Sequence, residues 1–238
     1  GFLDHNLAIG NSLTGIGTLS EIDDYLPEGS FIQTLIAELL SEAQRNLERS
    51  ATVNDSTIKD IAIARQATDE ANEALLPLNM LFDLITLDRA NLIDFDIFTE
   101  SDESAIMERH QSSEVQELLE KLQPIHFPIQ FPEIFGIELS TGFNCFLGNP
   151  PWEKLVVAED TWWGMRFPGL LSQSVSVMNK MIRELKKENA ELLGTFEKER
   201  EDVEIAKKHL RKSFIDLGKG DTDLYKAFAW RTWNLTSD

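Results

Sequence analysis

Residues 143–152 read FNCFLGNPPW, and this stretch predicts both a local fold and a site. The apolar residues 143–147 are typical of a buried strand, which runs directly into the turn Asn149-Pro150-Pro151-Trp152. Because two successive prolines fix φ and lack N–H donors, they hold Asn149 extended and leave a turn rich in acceptors. The Asn149 side-chain oxygen and the Pro150 carbonyl can then both accept hydrogen bonds from one exocyclic amino group. Trp152 can stack on the ring that carries this group.

The composition excludes several broad classes of protein. The chain has 238 residues, of which 42% are hydrophobic and 26% charged, so wholesale disorder is excluded. A single cysteine excludes a disulfide framework and a cysteine-only zinc site, and the four histidines show no metal-ligand spacing. The sequence contains no run of 18 apolar residues, so no transmembrane helix is expected. These features predict a cytoplasmic protein without a membrane partner.

The acidity of the chain is confined to its first two thirds. The formal net charge is −19, from 22 basic and 41 acidic side chains. Residues 1–150 contain 7 basic and 26 acidic side chains, whereas residues 151–238 contain 15 of each. Phosphate binding requires Lys and Arg. The overall acidity therefore does not exclude a nucleic-acid partner for the neutral last third.

Most of the chain has the apolar spacing of helices. We expect helices over 30–49, 56–75, 78–90 and 103–122, with a break at Pro77, whereas the proline-rich residues 124–132 predict extended chain or a loop. From Leu171 to Leu210 a heptad seam has apolar residues at ten of its twelve positions. This seam favours a helical hairpin that bends near Asn189, the alternative being one continuous rod of ~60 Å. An amphipathic helix is expected near the end of the sequence.

The segment FNCFLGNPPWEKL (143–155) resembles motif IV of the amino-group DNA methyltransferases, (Asp/Asn/Ser)-Pro-Pro-(Tyr/Phe/Trp). The closer resemblance is to the adenine-N6 methyltransferase core of type IIG restriction–modification enzymes and phage-exclusion methylases. Three other segments support it. LDHNLAIGNSL (3–13) is similar to the family's Gly-(Asp/Asn)-Ser-Leu turn, HFPIQFPEIF (126–135) to its aromatic Phe-Pro-Glu segment, and GKGDTDLYKAF (218–228) to its Gly-Asp-x-(Asn/Asp)-x-Tyr helix.

The resemblance implies an α/β fold. The expected architecture is a partial, Rossmann-like class I methyltransferase core with large, mainly helical insertions, mostly α by residue count. The implied divisions are 1–29 as part of the core, 30–123 as a helical insertion, 124–160 as the motif IV strand and loop, 161–217 as a helical hairpin or coiled-coil-like insertion, and 218–238 as a core helix.

The resemblance also implies a reaction, the transfer of a methyl group from S-adenosylmethionine to N6 of an adenine flipped out of double-stranded DNA. The enzyme would belong to a restriction–modification or phage-defence system. Carried over by position, Asn149 and Pro150 hold the amino group, Pro151 shapes the turn and Trp152 stacks on the base. Asn11 lies where the family places the polar residue that contacts the adenine of the cofactor. No metal is implied.

The expected cofactor site is incomplete in these 238 residues. The methionine part of the cofactor is normally held by a Gly-rich loop between a strand and a helix, and Gly15-Ile16-Gly17 offers only a lone G-x-G. No recognition domain for DNA is apparent. We therefore interpret the chain as a piece of a larger enzyme and expect it to be inactive alone.

Several other residues have simple structural interpretations. Cys145 is expected to be a buried structural cysteine, and His126 to be packed or hydrogen-bonded near the motif. Trp162 and Trp163 are expected either to pack in a core or to line the adenine pocket or a DNA-facing loop. Asp221 and Asp223 are expected to cap a helix, and Lys207, Lys208, Arg211 and Lys212 to lie on a solvated helix face, with a phosphate-contacting patch as the alternative.

Two rival functions remain open at this point. The first is methyl transfer to a different acceptor, since Asn-Pro-Pro-aromatic also serves guanine N2 in RNA and glutamine amides in proteins. The second is a non-catalytic helical interaction module, in which the heptad seam binds a partner. The sequence does not predict the DNA target or the oligomeric state.

Overall fold

The computed structural model of the chain describes residues 7–26, 31–52, 58–97, 102–135, 142–151, 154–214 and 223–237. This part of the chain is about 71% helical and contains no β-strand. In this part of the chain, β-type backbone pairing is limited to isolated bridges, such as that between Phe143 and Thr236. The expectation of a Rossmann-like sheet core is therefore wrong for the described residues.

The described helices follow one another through most of the chain. A 3-10 helix spans Leu19–Tyr25, and a second one spans Leu170–Ser172. The α-helices are α1 (Phe31–Thr52), α2 (Ile58–Arg89), α3 (Glu103–His110), α4 (Ser113–Leu122), α5 (Phe127–Gln130), α6 (Pro132–Phe135), α7 (Glu159–Arg166), α8 (Val175–Glu188), α9 (Ala190–Ser213) and α10 (Leu224–Asn234). None of these helices is long and apolar enough to cross a membrane.

The apolar stretch that predicted a strand is a surface segment instead. The side chain of Leu147 is fully exposed, and residues 144–149 are all exposed. A strand is stable only when neighbouring strands satisfy its backbone, and none lies beside this segment within the described residues. Phe143 packs against an aromatic cluster, where its half-buried ring has its centroid 5.2 Å from that of Phe135 and 5.4 Å from that of Phe131.

The main core lies between α1 and α2, which pack along each other. Ile36, Leu40 and Ala43 of α1 are buried against apolar residues of α2. Helix α2 continues through Pro77, so the predicted break there is wrong. A proline inside a helix costs ~3 kcal/mol, whereas Leu75 and Leu78 on either side are buried, and burying each side chain contributes ~1.5–3 kcal/mol. Burial on both sides therefore outweighs the cost of the proline.

Two further boundaries differ from the expected ones. The helix predicted over 103–122 is interrupted at Gln111–Ser112, where Ser112 occupies the N-cap of α4. The proline-rich residues 124–132 are not extended throughout, because α5 and α6 begin within them. Pro128 and Pro132 lie in the first turns of these helices, where the missing N–H donor would have no helical partner.

The long helical region of the last third breaks at Asn189, as predicted. Helix α8 ends there and α9 begins at Ala190, so one continuous rod is excluded. A small second core fills this region, with Trp162 and Trp163 of α7 against Ile182 of α8 and Phe196 of α9. Helix α9 then lies against the main body, where Ile205 packs on the main core and Asp202 pairs with Lys121 at 3.2 Å.

Candidate functional site

Two distant segments of backbone run side by side and form the floor of the candidate site. The Asn11 N–H donates to the Gln123 carbonyl at 2.7 Å, and the Phe127 N–H donates to the Ile16 carbonyl at 2.9 Å. A Cβ at Gly15 would overlap the Ile125 carbonyl oxygen, so only glycine permits this approach. Gly15, the first glycine of the Gly15-Ile16-Gly17 sequence considered above as a cofactor loop, therefore allows close packing against the backbone of Ile125.

The Gly-Asn-Ser-Leu turn has a defined internal geometry. The Asn11 Oδ1 accepts a hydrogen bond from the Leu13 N–H at 3.0 Å, which is an Asx turn. The Thr14 hydroxyl donates to the Leu122 carbonyl at 2.7 Å and ties the turn to the end of α4. The Asx turn therefore fixes the Asn11 side chain through its oxygen.

A pocket of about 300 Å³ opens beside this turn. Asn11 and Gln123 belong to its lining, together with Pro151 from the motif IV turn. Its apolar walls come from Leu13, Leu155, Leu210, Leu224 and Phe228. The volume lies at the lower end of the range for small-molecule sites. Residues from three segments quoted for the methyltransferase resemblance therefore border one cavity.

The motif IV turn lies at the rim of this pocket. Asn149 and Pro151 are exposed and Pro150 is half-buried, whereas Trp152 lies outside the described residues. Directly after the turn, Lys154 pairs with Asp223 in an isolated antiparallel bridge. This bridge holds the turn next to Asp223, the N-cap of α10. The roles predicted for the four motif residues remain predictions.

A buried histidine supports the pocket from behind. The His209 Nε2 donates to the Leu13 carbonyl at 3.3 Å and lies 3.2 Å from the Ser213 hydroxyl. Burial is the main cause that lowers the pKa of His209 to about 4, and the nearby Arg231 and Arg89 lower it further. The imidazole is therefore neutral at pH 7.

Asp83 joins two histidines beneath the site. His126 and His110 each place Nε2 at 2.9 Å from a different oxygen of the Asp83 carboxylate. The His126 Nδ1 accepts from the Ile16 N–H at 3.1 Å, so its proton must be on Nε2. Burial acts to raise the pKa of Asp83, but the histidine hydrogen bonds outweigh it and lower the pKa. The packed, hydrogen-bonded role expected for His126 is confirmed.

A buried ion pair holds α10 against the beginning of the chain. Arg231 Nη1 lies 2.5 Å from Glu21 Oε1, and its Nη2 donates to the Gly15 carbonyl at 2.8 Å. Arg89 of α2 approaches the other Glu21 oxygen at 3.5 Å. Helix α10, whose Leu224 and Phe228 line the pocket, is thereby fixed to the segment that carries Asn11.

The remaining sequence candidates are resolved by their surroundings. Cys145 is exposed, so the expectation of a buried cysteine is wrong. Trp162 and Trp163 are buried in the small core around α7, away from the pocket lining. Asp223 occupies the N-cap of α10 without a side-chain capping bond and pairs with Lys226, whereas Asp221 lies outside the described residues. No group of three potential metal ligands occurs in the described part of the chain.

The four basic residues near the end of α9, expected on a solvated helix face, divide between protein partners and solvent. Lys207 pairs with Glu204 at 2.8 Å, and Lys208 donates to the Asn91 carbonyl at 2.5 Å. Arg211 and Lys212 are exposed. Two of the four basic residues, Lys207 and Lys208, therefore already have partners within the protein.

Sequence reasoning missed the residues that complete the pocket. Gln123 has a positive φ of 45° at the end of α4, and the only signal for it is its position just before Pro124. Leu155 and Leu210 are ordinary apolar residues, and only the packing of α9 brings Leu210 to the site.

Comparison of the chain with protein-family models, with curated proteins and with solved structures finds no match.

Proposed function

We propose that this chain carries the amino-group site of a DNA methyltransferase that transfers a methyl group from S-adenosylmethionine to adenine N6. The observation that supports the proposal is the convergence of Asn11, Pro151 and Phe228 on one pocket. These residues come from three segments that resemble the family, and they are separated by 140 and 77 positions along the chain. If each segment resembled the family only by chance, there would be no reason to expect the three segments to meet at one pocket.

The chemistry of the pocket suits this reaction. Apolar walls favour a flat ring, and the adjacent Asn149-Pro150 turn offers acceptors for an amino group. Two acceptors on one amino group favour a pyramidal nitrogen, whose lone pair can attack the methyl carbon. The proton released from that nitrogen would pass to solvent at the exposed turn. The proposal rests on this site and requires no sheet among the described residues.

The first experiment asks which molecule accepts the methyl group. The gene that encodes this chain, with its complete reading frame, is expressed in a host that lacks adenine methylation. We expect its genomic DNA to resist a nuclease that is blocked by N6-methyladenine. Sensitive DNA together with labelled RNA or labelled protein glutamine would contradict the choice of adenine and support the rival acceptors.

A second candidate function is a helical interaction module. It is favoured by the first part of the heptad seam, where the side chains of Leu171 and Val175 are 55% and 69% exposed. An exposed apolar stripe is typical of a contact surface. Light scattering on the chain, with Val175→Asp as a variant, tests this idea. A concentration-independent monomer would count against self-association through the seam.

A further inference from the structure

We infer that Gln123 is the residue that selects adenine in this pocket, by hydrogen-bonding to the N6 and N7 edge of the ring. The inference rests on the proposed function for its biological role. It adds a residue that the resemblance does not supply.

The backbone of Gln123 is the first observation. Its φ of 45° and ψ of 56° place it in the left-handed region, at the C-cap of α4. Glycine or asparagine is favoured at such a position, and another residue costs ~1 kcal/mol or more. A cap requires only the backbone N–H, which donates to the Leu119 carbonyl at 2.7 Å. The glutamine side chain is therefore not explained by the cap.

The fixed position of Gln123 is the second observation. Its carbonyl accepts the Asn11 N–H at 2.7 Å, so the backbones of the two pocket amides are joined directly. Gly10 has a φ of 155°, and a Cβ there would come within 2.8 Å of the Gln123 carbonyl oxygen. The close approach of these backbones therefore sets where the Gln123 side chain begins.

The composition of the lining is the third observation. Gln123 and Asn11, the two amide-bearing residues of the lining, border the same pocket as the apolar Leu155, Leu224 and Phe228. A glutamine amide pairs with adenine through two hydrogen bonds, in which its oxygen accepts one N6–H and its nitrogen donates to N7, so the second N6–H is left for an acceptor of the Asn149-Pro150 turn. Hypoxanthine offers two acceptors at the same edge, so one amide cannot satisfy both. The pocket thus fits a 6-aminopurine better than a 6-oxopurine.

The test measures the binding of adenosine and 7-deazaadenosine to the full chain by isothermal calorimetry. 7-Deazaadenosine lacks only the N7 acceptor. We expect adenosine to bind about tenfold more tightly, which corresponds to the energy of one good hydrogen bond to a base. In Gln123→Glu, which keeps the shape but removes the donor, this ratio should fall to about one.

Matched variants separate binding from folding. Gln111→Glu makes the same change at an exposed glutamine away from the pocket lining and should keep the tenfold ratio. Gln123→Leu should abolish the ratio as well, and thermal unfolding checks that each variant is folded. A ratio that persists in both Gln123 variants, or no measurable binding of adenosine, would overturn the inference.

Competition identifies the source of the adenine. Displacement of adenosine by S-adenosylhomocysteine would assign the pocket to the cofactor, and displacement by a DNA hairpin with an unpaired adenine would assign it to the substrate base. Either result supports the inference. If neither competes but the N7 dependence on Gln123 holds, adenine selection stands and the proposed methyl transfer at this pocket fails.

Discussion

The guanidinium of Arg231 lies 2.5 Å from the Glu21 carboxylate, and 210 positions of sequence separate the two residues. Both are largely buried, and Arg231 also donates to the Gly15 carbonyl. The ion pair therefore connects the last described helix with the segment that carries Asn11.

Removing one member of this pair should destabilise the protein strongly. Glu21→Leu leaves the Arg231 charge buried with no carboxylate of the described residues at hydrogen-bonding distance, and the expected loss is about 3 kcal/mol in the free energy of unfolding. Urea denaturation measures this loss. The double variant Glu21→Leu/Arg231→Leu should lose less than the sum of the single variants. Glu204→Leu, in the exposed pair with Lys207, is the control and should cost about 0.5 kcal/mol or less.

Glycine substitutions test the close approach beneath the pocket. In Gly15→Ala the new methyl group would meet the backbone of Ile125, which cannot turn aside as a side chain can. We expect a loss of about 3 kcal/mol in unfolding free energy. Gly194→Ala in α9 is the matched control, because its methyl group meets nothing within 4 Å. That variant should gain about 1 kcal/mol from helix propensity, so equal effects at the two sites would contradict the pairing of residues 10–17 with 123–127.

Acid should weaken the fold through His209. Its pKa is lowered to about 4 in the folded protein by burial, whereas an unfolded histidine titrates near 6.5. Between these values the unfolded state binds more protons, so stability falls as the pH is lowered from about 6.5 to 4. The full effect of this one group is about 3 kcal/mol. Asp83, whose pKa is lowered, loses its contribution only at lower pH, below its ordinary value of 3.8.

The variant His209→Gln isolates this effect. Glutamine can still donate to the Leu13 carbonyl but does not titrate. Urea denaturation at several pH values between 7 and 4 should therefore give a flatter dependence for the variant than for the natural protein. Identical slopes would show that His209 is not buried as a neutral group.

Local patterns predicted most of the helices but wrongly predicted a sheet core. The spacing of Leu39 and Ala43 predicted α1, and the polar Asn189 in an apolar seam marked the break between α8 and α9. The residues 143–147 are equally apolar, but a strand depends on partners that are distant in the sequence. The helix break predicted at Pro77 is wrong for the same reason. The neighbours of Pro77 are held in the helix by tertiary packing, which a local sequence pattern does not show.

The candidate site could be predicted only in part. The resemblance pointed to Asn11 and to Asn149-Pro150-Pro151, and the structure brings Asn11 and Pro151 to one pocket. The other lining residues could not be assigned to the site, because no local pattern shows that Leu210 and Gln123 lie near Asn11. Their contribution arises from the packing of α9 and from the left-handed turn after α4.

The most direct measurement compares Asn149→Ala with Asn144→Ala in the intact protein, by transfer of labelled methyl from S-adenosylmethionine to duplex DNA. Both residues are exposed asparagines of the same loop, but only Asn149 precedes the two prolines. We predict that Asn149→Ala lowers the rate by ~10²–10³-fold, the scale for losing one positioned group that acts in the transition state, while Asn144→Ala stays close to the natural rate. Undiminished transfer by Asn149→Ala, or equal losses in the two variants, would contradict the assignment of this turn as the methyl-transfer site.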